Sequence, residues 1–336
     1  MLQVPSIPPI NGLSFKMFNG SQDFPGMIEV FNASKVVDCQ KFIWTIEDME
    51  RSYKHPINFV PEKDVLIVSI ENKIIGHAQV WWSRGISGIR NYHYVARLHP
   101  NWRGRGIRVA IVEWCEERAK DITKEHPKEE VGEFYVWASE TETDWIRIIE
   151  DRGFKPHTFS FRMLRPNLDN IPELPLPKGI EIKPIRNDQL RRLWDADAEA
   201  NKDGFEPMEW PEELYQQWLN EPIFKPELYV VAWDGDRIAG AVQNHIDEEE
   251  NVEYNRKRGY TENIHVGREW RGRGLAKAML ARSFKLLKEK GMTKVSLNVE
   301  ADNPTGALKL YKSMGYQIEK KVTHYKKPLK VDISFN

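Results

Sequence analysis

From residue 179 onward the apolar positions change period several times, and each change marks an element. Ile180 and Ile182 alternate with Glu181 and Lys183, which predicts a strand over residues 179–184. Residues 187–201 carry the helical recurrence. Two alternating runs within residues 228–244 flank Asp234-Gly235, a pair suited to the positive φ angles of a tight hairpin. A further strand is predicted over residues 260–266. Leu275, Met279, Leu280, Phe284 and Leu287 then recur at helical spacing, and Gly291 stands where a left-handed C-cap falls. Val295, Leu297 and Val299 alternate, which sends Ser296, Asn298 and Glu300 to the opposite strand face. Asn303-Pro304 predicts the next helix start, an N-cap residue followed by a first-turn proline.

The same pattern occurs earlier in the chain. Trp44-Thr-Ile-Glu-Asp48 returns as Trp210-Pro-Glu-Glu-Leu214, and the strand-turn-strand run from Val65 to Gly76 returns from Tyr229 to Gly240. Trp102-Arg-Gly-Arg-Gly-Ile107 returns as Trp270-Arg-Gly-Arg-Gly-Leu275, and Ile148 to Phe154 matches Leu310 to Tyr316. Blocks in one order at nearly constant spacing predict two copies of one fold. Between them, prolines 166, 172, 175 and 177 suit an extended, semi-rigid spacer. The expected domains are therefore residues 1–166 and 179–336, joined by a proline-rich linker at 167–178.

Composition narrows the function classes. The chain has 336 residues, which at roughly 150 residues per domain also suggests two. Lys and Arg total 49 against 50 Asp and Glu, so no bulk charge pulls it toward nucleic acid or anionic lipid. With only Cys39 and Cys115, and no Cys or His at zinc-ligand spacing, neither a disulfide framework nor a metal site is expected, and a reducing cytoplasm fits best. The proline-bearing first residues do not read as a signal peptide, and no run of 18 apolar residues suggests a membrane span. Cys115 reads as a core residue, and Asp247 to Glu250 as a solvated loop.

The strongest chemical feature is the succession of strand, Arg271-Gly-Arg-Gly-Leu-Ala276 and long amphipathic helix. Glycines at a helix start admit a ligand close to the backbone, and unpaired N–H groups with the helix dipole favour phosphate there. No Gly-Lys-Ser/Thr follows, and the third glycine of a dinucleotide fingerprint is missing, so neither a P-loop nor a Rossmann site is indicated.

This block resembles the signature of the GNAT superfamily of acetyltransferases, Arg/Gln-x-x-Gly-x-Gly/Ala at the start of the helix after the fourth strand; Arg271, Gly274 and Ala276 match it. Asn298 to Tyr316 is similar to that family's later motif. With its two-copy layout the chain resembles the mycothiol synthases, tandem members that acetylate a cysteinyl amine.

The resemblance implies an α/β (α+β) fold of two tandem domains, each a mixed, mostly antiparallel twisted sheet flanked by helices. It further implies an acyltransferase using acetyl-CoA as co-substrate, in which an amine attacks the thioester directly within a ternary complex; a primary amine of a small molecule is the expected acceptor, with a protein N-acetyltransferase and a non-catalytic acyl-CoA-binding or sensing protein as the alternatives. The backbone at Ile264, His265 and Val266 would pair with the pantetheine arm. Arg271, Gly272, Arg273, Gly274, Leu275, Ala276 and Lys277 would surround the diphosphate, and Asn303 would touch the arm. Tyr311 stands where the family often places its leaving-group acid. Glu262, the sole carboxylate in residues 260–266, is the expected base, with His265 on the opposite strand face by simple alternation. In the first copy Arg108, Thr141 and Ile149 replace Ala276, Asn303 and Tyr311, so that copy is expected to be non-catalytic.

Overall fold

A computed structural model describes residues 2–41, 43–127 and 132–329; the outermost residues of both expected domains fall outside that range. The chain packs as two compact units. One comprises Met1–His157 with the stretch from Thr323 onward, and the other comprises Thr158–Val322.

The first unit runs β1 (Leu13–Met17), α1 (Phe24–Val37), α2 (Ile46–Lys54), α3 (Pro61–Asp64), β2 (Val65–Ile70), β3 (Lys73–Arg84), β4 (Arg90–Leu98), α4 (Ile107–Thr123), β5 (Gly132–Ser139), α5 (Thr143–Asp151) and the start of β6 (Lys155–Arg165). Strands β1 to β4 form an antiparallel meander. β4 then pairs with β5 in parallel, as the intervening crossover helix α4 requires.

The second unit repeats the plan with β7 (Ile180–Ile182), α6 (Leu190–Asn201), α7 (Glu212–Leu219), β8 (Val230–Asp234), β9 (Arg237–His245), α8 (Glu248–Glu253), β10 (Arg258–Val266), α9 (Leu275–Glu289), β11 (Lys294–Glu300), α10 (Ala307–Ser313) and most of β12 (Gln317–Pro328). Its strands order as β7-β8-β9-β10-β11, again antiparallel except for β10 against β11.

The packed units depart from the sequence copies at their closing strands. In the second unit β11 is flanked by residues 160–165 of β6, Val295 opposite Arg165 and Glu300 opposite Ser160. In the first unit the segment beyond β5 is the end of β12, where Tyr135 meets His324 at 3.1 Å and Glu133 meets Lys326 at 2.9 Å. Residues 167–178 are extended but bound to the second unit. Leu168, Ile171 and Leu174 join the α9 core, and Arg282 donates to the Leu174 carbonyl at 3.1 Å.

Helix α9 positions the site. Leu275, Met279, Leu280, Phe284 and Leu287 are buried against the sheet, at roughly 1.5–3 kcal/mol each. On the other sheet face Trp194, Trp218, Tyr229 and Trp233 form an aromatic layer with α6 and α7. The fourth-strand-to-helix order is as expected, but α10 starts at Ala307 rather than at Asn303-Pro304. Asn303 Oδ1 accepts instead from the Thr305 N–H at 2.9 Å, closing a local turn, and Gly306 at φ 77° begins the helix. The acidic run is helical rather than a loop, over Glu248–Glu253; Glu248 and Glu249 are exposed as expected, but Glu250 is buried against Arg256 and the Tyr260 hydroxyl. Among the described residues no helix is long and apolar enough to cross a membrane.

Candidate active site

Strands β10 and β11 stay paired only from Arg258 to Tyr260, opposite Lys294 to Ser296. Beyond that point β10 slips register against β9 between Glu262 and His265, with Asn263 at φ 44°. Such a bulge bends a strand away from its neighbour. The separation opens a cavity of about 700 Å³, walled by Glu262 to Val266 on one side and Asn298 to Glu300 on the other. Leu310 and Tyr311 of α10 line it too, as do Asp197 and Asn201 of α6.

The Arg-Gly turn forms one end. Gly272 and Gly274 hold φ 71° and 80°, the left-handed region, and nothing lies within 4 Å of where a Cβ would stand on either. The first intrahelical bond of α9 is from the Ala278 N–H to the Gly274 carbonyl at 3.1 Å. The N–H groups of Leu275, Ala276 and Lys277 therefore have no helical acceptor behind them and line the cavity. An open turn, three such donors and the positive end of a 15-residue helix fit a diphosphate. Arg271 is braced by the Val266 carbonyl at 2.9 Å and by Asp203 at 2.8 Å. The hydrogen-bonded guanidinium of Arg268, and after it that of Arg271, holds the Asp203 carboxyl down at about 2.

Every residue expected at the site lines this cavity except Arg273, which is exposed and donates to the Lys178 carbonyl at 3.3 Å. Asn303 lines it with its side-chain oxygen already engaged by Thr305. Glu262 accepts from the Asn298 side-chain amide at 3.0 Å and from its backbone N–H at 3.2 Å. Burial nonetheless pushes the Glu262 carboxyl up to about 8, the Asn298 hydrogen bonds opposing the rise. Tyr311 is 6 % exposed; burial, and next the charge of Glu262, push its phenol well above the usual range. Glu262 and Asn263 also border a second cavity of about 230 Å³, walled by Trp218, Phe224, Tyr229 and His245.

His265 does not lie opposite to Glu262, as simple alternation predicts. Glu262 stands across from Gln243 and His265 across from Ala241, two residues apart on β9, so the bulge brings both onto the face covered by α6. The sequence reading also missed Asp197, Gln243, Asn298 and Glu300. Asp197 lies far upstream in a helix with no motif around it. Asn298 and Glu300 were legible as the polar face of β11, without any signal that this face meets a cavity. Burial, then the charges of Asp302 and Glu206, raise the Glu300 carboxyl to about 7.

Comparison with known proteins gives this arrangement its context. Residues 188–316 match the Acetyltransferase (GNAT) family. A mycothiol acetyltransferase of Geodermatophilus obscurus is 26 % identical over 259 residues, covering 76 % of this chain and 79 % of that protein. N-alpha-acetyltransferase 30 of Schizosaccharomyces pombe is 30 % identical over 123 residues, 34 % of this chain and 79 % of that one. Among solved structures, a GCN5-related N-acetyltransferase from Sphaerobacter thermophilus superimposes with a TM-score of 0.73 at 22 % identity, over 99 % of both chains. The chain therefore belongs to the GNAT acetyltransferase family: it is an acyltransferase of tandem architecture with acetyl-CoA as co-substrate.

Proposed function

We propose that the second unit transfers the acetyl group of acetyl-CoA to a primary amine of a small molecule, by direct attack within a ternary complex. The observation that carries this reading is the meeting of two cavities at Glu262 and Asn263. The larger is bordered by the glycine turn and suits the donor; the smaller suits the acceptor and delivers its amine to the carboxyl of Glu262. A volume of about 230 Å³ favours a small acceptor over a folded protein surface.

In this mechanism the N–H groups of Leu275, Ala276 and Lys277 hold the diphosphate, and the separated edge of β10 at Ile264 to Val266 pairs with the pantetheine arm. Glu262 takes the proton of the incoming ammonium, and its value of about 8 matches that task near neutral pH. The amine lone pair forms the C–N bond at the thioester carbonyl while the C–S bond breaks. Tyr311 protonates the departing thiolate and regains a proton from the nitrogen as the amide forms. Burial keeps the phenol protonated at neutral pH, so its hydrogen is available to the sulfur as the C–S bond breaks.

The test is calorimetric titration of acetyl-CoA, followed by thiol release with a panel of small primary amines. Saturable binding with amine-dependent thiol release supports the reading. Binding without release for any amine, combined with acetylation of peptide N-termini, would move the acceptor class to proteins. No binding at all removes the activity.

A further inference from the structure

The chemistry above leaves one pair of groups at the site unused. His265 is 7 % exposed and lines the donor cavity. Its Nδ1 lies 3.2 Å from Asp197 Oδ1 without the alignment of a hydrogen bond, and neither ring nitrogen has a hydrogen-bond partner within the protein. Asp197, 1 % exposed, is itself fixed: its other oxygen accepts from the Gln243 amide at 3.0 Å, and Gln243 in turn accepts from Trp218 at 3.1 Å and Asn263 at 3.2 Å.

A buried ring nitrogen without a partner costs desolvation free energy, so a histidine present only for packing is expected to place both nitrogens on protein groups. His93 of the first unit does so, with Nε2 on the Ser83 hydroxyl at 2.8 Å and Nδ1 on the Tyr135 carbonyl at 3.2 Å, whereas buried His77 leaves its Nδ1 unpartnered. His265 differs from both in having a carboxylate beside its Nδ1 and in lining the donor cavity. A carboxylate at Nδ1 favours the tautomer with its hydrogen there, which leaves a lone pair on Nε2. A small rotation of the ring would align Nδ1 with Asp197 Oδ1, 3.2 Å away.

We infer that His265 is a second proton acceptor of the acyl transfer, with Asp197 as its positioning residue, an assignment that rests on the acetyltransferase reading of this site. The ammonium gives its proton to Glu262, and water in the cavity that both residues line passes it to His265 Nε2. The imidazolium so formed is balanced by Asp197 and returns the proton to solvent after the thiol departs. No net charge accumulates, and Glu262 is restored as a carboxylate for the next amine.

The experiment compares wild type with His265→Ala, Asp197→Asn, Glu262→Gln and the His265→Ala/Glu262→Gln double variant, using acetyl-CoA with 2-phenylethylamine as the probe amine. His265→Ala is expected to lower kcat about tenfold or more while the affinity for acetyl-CoA, read by calorimetry, stays within about twofold; added imidazole restores part of the rate. Asp197→Asn should cost less, about three- to tenfold, and the double variant should be no slower than Glu262→Gln alone, since the groups act in series. A His265→Ala enzyme with wild-type kcat overturns the inference. So does a loss that imidazole leaves untouched and that is matched by a loss of acetyl-CoA binding.

A second measurement needs no acceptor: long-range nitrogen-15 spectra of the His265 ring in the full chain. Hydrogen on Nδ1 in wild type, redistributed in Asp197→Asn, supports the assignment; hydrogen on Nε2 in wild type overturns it. Failure of wild type to bind acetyl-CoA is a different result, which removes the acetyltransferase reading itself and this inference with it.

Discussion

The two units carry the same glycine turn and use the space above it differently. Gly104 and Gly106 hold φ 74° and 81°, nearly the angles of Gly272 and Gly274, and β4 parts from β5 beyond His93 as β10 parts from β11. In the second unit Ala276 leaves the gap open as a cavity. In the first, Arg108 stands at that position and folds inward, 8 % exposed. It donates to the Ala96 carbonyl at 2.8 Å and to Asp144 at 3.3 Å, with its guanidinium over Trp145. The strand edge that a pantetheine arm would need is thus occupied by the chain itself. Arg103 is held in two bonds of 2.7 Å by Asp38, and Pro8 lies 3.6 Å from where a Cβ on Gly106 would stand. A turn motif supplies backbone donors; whether a site exists is decided by what the neighbouring side chain does with the gap.

The most direct way to break this comparison is to fill each turn in turn. Gly274→Trp, which puts a side chain at a left-handed φ and into the open cradle, should reduce acetyl-CoA affinity by about a hundredfold or more. Gly106→Trp should change it by less than about twofold, because Arg108 already fills the corresponding gap. Calorimetry on both variants, with circular dichroism to confirm folding, decides it; equal losses would give the first unit a cofactor site.

Next in size is Glu262→Gln, which should lower kcat by about a hundredfold with acetyl-CoA affinity retained. In wild type kcat/KM should rise with pH toward about 8 as Glu262 ionises, and the variant should lose that limb. Stability runs the other way. A carboxyl raised from 4.5 to about 8 in the fold stabilises the protein fully below 4.5, and that contribution is lost as pH rises through 8. The gain in Tm of Glu262→Gln over wild type should therefore be larger at pH 9 than at pH 5.

Removing the plug of the first unit sharpens the contrast from its other side. Arg108→Ala leaves Asp144 without its buried partner and a void over Trp145, and should cost about 3 kcal/mol in urea unfolding. The smallest effect is expected at Asp203, which shares the charge of Arg271 at the mouth of the cavity. Asp203→Asn should tighten acetyl-CoA about two- to fivefold at low salt, an advantage that fades as salt rises.

How much of this was legible depends on the range of the forces involved. The period of apolar residues and the glycines at 235, 274 and 291 located the β8–β9 hairpin, α9 and its C-cap because these are local effects of side-chain alternation and φ. The internal repeat carried that reading over to the first copy. The turn at Asn303 was misread because an Asn can close a turn by accepting from the N–H two residues on as readily as it caps a helix, and only the left-handed Gly306 settles which.

The sequence by itself determined two copies of one domain, the phosphate-suited turn of the second and the absence of matching residues in the first. Tertiary structure alone decided three things. It decided which strand closes each unit, since residues 158–165 and 323–328 both end their copies, and backbone pairing energy does not depend on which copy a strand belongs to. It decided the inward fold of Arg108, whose partners Ala96, Asp144 and Trp145 are assembled only by the sheet. And it decided the bulge at Asn263, a positive φ on a non-glycine residue that no periodicity announces. That bulge turns His265 toward Asp197, because shifting a strand by one residue exchanges the faces of everything beyond it.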